Sequence, residues 1–133
     1  MVEESYVSFE TAKLLRDKGF DAKCRYYYIQ TGEMFEVDTR FRTVLTTQEL
    51  LNLQIVGEKE ERCVAPTLQM AMKWLREEKN IFIDVYYDSD IKGYLYSIIK
   101  LPKGITLNVS DLADNIYEEA CEAAIKYCLE NLI

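Results

Sequence analysis

The chain has no histidine at all. That removes the usual base for a serine or cysteine nucleophile and the most versatile metal ligand. Its 5 glycines are scattered, so no Gly-rich loop is available to cradle a phosphate. Only 2 prolines occur. The 4 cysteines include no CxxC pair and are spaced unlike zinc-ligating knuckles, so no metal is expected. Cationic charge is also short: 16 Lys and Arg stand against 23 Asp and Glu, for a net charge of −7. Nucleic-acid binding needs clustered cations to displace counterions from phosphates, so this balance disfavours it, and it disfavours an anionic membrane surface equally. No run of about 18 apolar residues exists to span a bilayer, and the opening MVEESYVSFE lacks the apolar core of a signal peptide. Cytoplasmic localisation is the expectation.

What remains is an ordinary globular composition of 133 residues, 49% apolar and 29% charged, expected to form one domain over 1–133. Such a chain can bury enough surface to fold without a disulfide or a metal. Tyrosine is abundant, at 10 residues.

Hydrophobic spacing orders the elements. In VSFETAKLLRDKGF, Ser8 is placed to cap a helix, Phe9, Ala12 and Leu15 share a face, and Gly19 is placed to end it. Val7 is positioned to staple onto Ala12. Tyr26–Ile29 and Met34–Val37 flank the turn signal Thr31-Gly32 and predict a hairpin. Thr46 and Glu49 form a capping box before a short helix, and a charged loop follows up to Pro66. From Pro66 to Lys79, Leu68, Ala71, Met72 and Leu75 recur at helical spacing. After Asn80 the period changes to two: Ile81, Ile83, Val85 and Tyr87 alternate with Phe82, Asp84, Tyr86 and Asp88. A turn at Asp88–Gly93 leads into YLYSIIKL. The last element is a helix with a capping box at Asn115 and Glu118, whose face carries Cys121, Ala124 and Cys128.

The order is α-β-β-(α)-α-β-β-α, an α+β fold. AKLLRDKGF aligns with MKWLREEKNI sixty residues on, matching Lys13 with Lys73, Leu15 with Leu75 and Arg16 with Arg76. Two αββ units, about 8–37 and 66–101, with an insert at about 38–65, would pair into one antiparallel sheet with helices mostly on one face. The expected core includes Phe9, Leu15, Phe20, Leu68, Ala71, Leu75, Ile83, Val85, Ile99, Ala124 and Cys128.

Four features are candidates for function. Met70 and Trp74 flank the apolar stripe of their helix as an i, i+4 pair, where Trp and Met often anchor a protein partner. Asp84, Tyr86 and Asp88 share a strand face, and paired carboxylates with a phenol could serve a ligand or acid–base site. DSDIKG at 88–93 begins like a calcium loop but has Lys92 and Ile99 where carboxylates are required. A hairpin turn accounts for it. The tyrosines on strands read as half-buried sheet residues, since no basic groove accompanies them.

SFETAKLLRDKGF, APTLQMAMKWLREEKN and YEEACEAAIKYCLENLI together resemble small uncharacterised proteins encoded by phages and integrated elements of anaerobic gut bacteria. The resemblance covers the first 30 residues and most of 64–133. It implies a mobile-element context and assigns no activity, cofactor or catalytic residue. The expectation is a non-enzymatic accessory protein that binds an unidentified protein partner and needs no cofactor. The alternatives are a small acidic enzyme or ligand-binding domain using the strand carboxylates and tyrosines, and a DNA mimic that inhibits a host protein. Edge strands of a small open sheet offer a route to a homodimer.

Overall fold

The computed structural model describes residues 3–38, 40, 44–52 and 61–133. The fold is α+β, and its strands form two antiparallel three-stranded sheets where the sequence suggested one. The chain divides into an N-terminal unit, Tyr6–Thr67, and a C-terminal unit, Met1–Ser5 with Leu68–Ile133.

In the N-terminal unit, helix α1 spans Phe9–Asp17. Ser8 caps it as the spacing predicts, its hydroxyl accepting the Thr11 N–H at 3.2 Å. Val7 and Ala12 are both buried. The C-terminus closes in a Schellman arrangement: Gly19 N–H donates to Arg16 O at 3.1 Å and Phe20 N–H to Leu15 O at 2.9 Å. Gly19 has φ of 88°, a conformation that penalises any side chain. Phe20 then re-enters the core beside Leu15.

Strands β1 (Tyr26–Ile29) and β2 (Met34–Glu36) form the predicted hairpin. The charged loop before Pro66 contains a third strand, β3 (Arg62–Val64), which pairs with β1 and makes it the centre of the order β2-β1-β3. Helix α2 (Thr47–Asn52) carries the capping box: Thr46 N–H donates to Glu49 Oε1 at 3.2 Å and Glu49 N–H to Thr46 Oγ1 at 3.1 Å. Thr47 ties this helix to β3, its buried hydroxyl accepting the Val64 N–H at 3.3 Å. Phe9 is half-buried, not core. Its ring lies 5.4 Å from that of Tyr28, at the rim of the hairpin.

In the C-terminal unit, α3 spans Leu68–Lys79 and starts two residues after Pro66. Residues 66 and 67 are held extended: Val7 N–H donates to Pro66 O and Thr67 bridges Tyr6. Asn80, with φ of 56°, turns the chain directly into β4 (Ile81–Asp88). β5 (Gly93–Lys100) pairs with β4 along its whole length, and β6 (Ile105–Val109) adds to β5 across a bulge. Helix α4 (Tyr117–Asn131) packs on β4, β5 and α3. Its Ala120, Cys121, Ala124, Ile125, Cys128 and Leu129 are all fully buried.

The covered side of this sheet is fixed by register. Ile83 faces Ile98 and Val85 faces Tyr96, and Ile83, Ile98 and Tyr96 are buried. Val85 and Ile99 are only half-buried. Val85 lies further towards the open turn, and Ile99 pairs with Phe82 on the opposite face. The Asn115–Glu118 capping box does not form. The N-cap is Ile116, extended at φ −121° and ψ 131°, with no side-chain hydrogen bond to the helix. Asp114 is paired with Tyr94 through two backbone bonds of 2.8 and 2.9 Å, which delays the first helical turn.

Candidate interaction surface

Trp74 is 7% exposed, within the buried face of α3. The Lys79 ammonium lies 5.4 Å from its ring centroid. Met70 is half-buried. Helical spacing put both at the margin of the apolar stripe, and the fold draws the indole inward. α3 therefore offers a partner little apolar area.

Asp84 is exposed on the open face of β4. Tyr86 stands beside it, also exposed. Asp88 is engaged otherwise: its Oδ1 accepts the N–H groups of Asp90 at 2.9 Å and Ile91 at 3.1 Å. Its carbonyl accepts the Lys92 N–H at 2.7 Å, so the residue builds the β4–β5 turn. DSDIKG is thus a hairpin turn, with Lys92 taking the left-handed position at φ 60°. Among the described residues, no three Asp, Glu or Cys side chains gather to hold a metal ion.

The thiols are poorly suited to nucleophilic chemistry. All four cysteines are free and buried. Burial disfavours the thiolate and pushes Cys24 and Cys128 up to about 12, and Cys63 up to about 11. Tyrosines serve packing in both units. Tyr28 is buried, its hydroxyl donating to Val7 O at 2.6 Å. Tyr87, Tyr94 and Tyr117 form a chain of edge-to-face contacts at 5.2 and 5.7 Å. Burial raises Tyr96 and Tyr117 above the ordinary phenol range.

The feature that sequence reasoning missed is the apolar surface of the C-terminal unit. Phe82 and Tyr86 are exposed on the open face of β4, and Ile105, Leu107 and Val109 along β6. Beyond β6, Leu112 is 83% exposed and Ile116 51%. At the β4–β5 turn, Ile91 is 58% exposed and Tyr87 55%. The N-terminal unit shows fewer such residues among those described: Phe35, Val44 and Leu51. A signal was present in DLADNIYEEA, where two large aliphatic residues, Leu112 and Ile116, sit in an acidic, polar stretch.

No family model, curated protein or solved structure matches this chain. No helix among the described residues is long and apolar enough to cross a membrane.

Proposed function

We propose that the chain is a non-enzymatic protein-interaction module, an accessory protein of a phage or mobile element. The context comes from the sequence resemblance. The interaction comes from one observation: the C-terminal unit displays large apolar side chains on its open sheet face, its β6 edge and the loop before α4. Scattered exposed apolar residues are ordinary, whereas a concentration of them in one unit marks a binding surface. Buried, protonated thiols and a turn-building Asp88 lend no support to a catalytic alternative. The partner contact is assigned to this sheet in preference to Met70 and Trp74, since Trp74 is packed inside.

Affinity capture with the full chain from lysate of a bacterium carrying such an element tests the reading. A partner at stoichiometric yield is expected, lost with Val109→Asp and retained with Glu77→Gln on the solvated face of α3. Capture of nothing, or capture indifferent to Val109→Asp, overturns it.

A further inference from the structure

Ile116 breaks a strong local rule. Helix N-caps favour Ser, Thr, Asp and Asn because their side chains satisfy an orphan N–H of the first turn. Here the longest of the described helices, 15 residues, starts behind an isoleucine that supplies no such bond. The side chain is not compensated by burial, being 51% exposed. Leu112, four residues earlier, is the most exposed large apolar residue described, at 83%. A position that gives up both a cap and apolar burial is a position where function competes with stability.

The fold gathers these residues at one end of the sheet. Asp114 bridges Tyr94, and a Cβ on Gly93 would lie 2.7 Å from that of Ala113, so the 110–116 segment runs against the start of β5. The Tyr87–Tyr94–Tyr117 ring chain joins β4, β5 and the first turn of α4. Ile91, Tyr87, Leu112 and Ile116 are the exposed apolar members of this end. Around them, residues 87–94 and 110–119 carry Asp88, Asp90, Asp111, Asp114, Glu118 and Glu119 against a single cation, Lys92.

Resting on the protein-interaction reading, we infer that this end of the C-terminal unit docks a basic amphipathic segment of a partner protein. Aliphatic anchors of that segment would cover Leu112 and Ile116, while its Lys and Arg side chains meet the carboxylate rim. The charge selects the occupant. An acidic peptide, a nucleic acid or an anionic bilayer would be repelled by the same rim. A second copy of this chain would bring a second acidic rim against the first.

The test is titration of the 15N-labelled full chain, followed by amide shifts, with three synthetic peptides: an amphipathic Lys/Leu peptide, its Glu/Leu counterpart, and a Lys/Ser peptide without apolar residues. The Lys/Leu peptide is expected to shift amides in 87–94 and 110–118, and to bind more weakly as salt screens the rim. Leu112→Ser is expected to weaken it about tenfold, as loss of an interface anchor does. Ile116→Ser is the decisive variant. It supplies the missing cap, so the protein is expected to melt higher while binding the peptide less well, an outcome that damage to the fold cannot imitate. Equal binding of the Glu/Leu or Lys/Ser peptide, unchanged affinity in both variants, or light scattering that shows a dimer broken by Leu112→Ser would overturn the inference. A captured partner whose binding survives Leu112→Ser but not Val109→Asp would overturn it too, yet leave the protein-interaction reading standing.

Discussion

Each unit sets a helix before an antiparallel hairpin, and the two differ in how the helix is stopped. After α1, Gly19 takes the left-handed position, Phe20 returns to the core, and the chain runs through an isolated bridge at Cys24–Leu45 before β1 begins at Tyr26. After α3, Asn80 takes that position and β4 begins at the next residue. The direct junction goes with strands of 8 residues paired without a slip, the longer one with strands of 4 and 3 residues. The aligned leucines fare alike, Leu15 and Leu75 both being buried, whereas the aligned arginines do not. Arg16 pairs with Glu61 at 2.6 Å, and Arg76 is exposed. Similar sequence thus preserves the core contact and leaves the surface contact to whatever the longer loop supplies.

The largest expected effect tests the leucine parallel. Leu15→Ala and Leu75→Ala should each cost about 3 kcal/mol in urea denaturation, the range for emptying a fully buried leucine site. A loss below about 1 kcal/mol in either variant breaks the parallel. Next come the glycines. Gly93→Ala must displace Ala113 and the Asp114 carbonyl, 2.7 and 3.2 Å from the new methyl, at roughly 2 kcal/mol. Gly19→Ala meets no atom within 4 Å and should cost only its left-handed conformation, about 1 kcal/mol. Reversed ranks in thermal melts would mean that the 110–116 segment yields easily. Tyr28→Phe removes a buried hydroxyl from the Val7 carbonyl in the N-terminal unit and should cost roughly 1 kcal/mol. Tyr86→Phe, at an exposed ring, should be neutral in the same denaturation assay.

The smallest measurable effect, in the range pH 8 to 9, concerns the thiols. Cys24 and Cys128, one in each unit, are raised in the folded chain from 9.0 to about 12. A raised folded value contributes stability that is present in full below the unfolded value and is lost as pH climbs from about 9 towards 12. Between pH 8 and 9 the loss should be roughly a few tenths of a kcal/mol per thiol, and Cys24→Ala and Cys128→Ala should each flatten the alkaline slope. An unchanged slope in both variants assigns the titration elsewhere.

Local pattern made much of this legible. The Ser8 cap, the Thr46–Glu49 box, the Gly19 stop and the change of period at Asn80 all depend on residues within a few positions of one another. β3 was hidden because Arg62, Cys63 and Val64 are too few to show a period, and their partner β1 lies more than thirty residues upstream. β6 carried a legible strand signal, Ile105, Leu107 and Val109 alternating with Thr106 and Asn108, but its place beside β5 and the bulge between them did not show in that pattern. The grouping of strands into two sheets was equally out of reach, since hydrophobic spacing tells which face of a strand is buried and not which strand lies beside it. Of the candidate residues, Asp88 was legible as a turn-former, whereas the inward packing of Trp74 depended on tertiary contacts that helical spacing does not encode. The pair Leu112 and Ile116 stood out in an acidic stretch of sequence, but their exposure became visible only once the bridge at Asp114 had set where α4 begins.

The central place of β1 also bears on the order in which the N-terminal unit can be made. During synthesis, one neighbour, β2, follows within a few residues and can close a hairpin at once. The other, β3, starts at Arg62. Until the ribosome has released that stretch, one side of β1 lacks the neighbour it has in the finished fold. Tyr28 and the strand around it must then wait for the chain behind them, in the interval when nascent chains are most open to wrong pairing. The β4–β5 ribbon has no such wait, since its two strands are separated by four residues and leave the ribosome together.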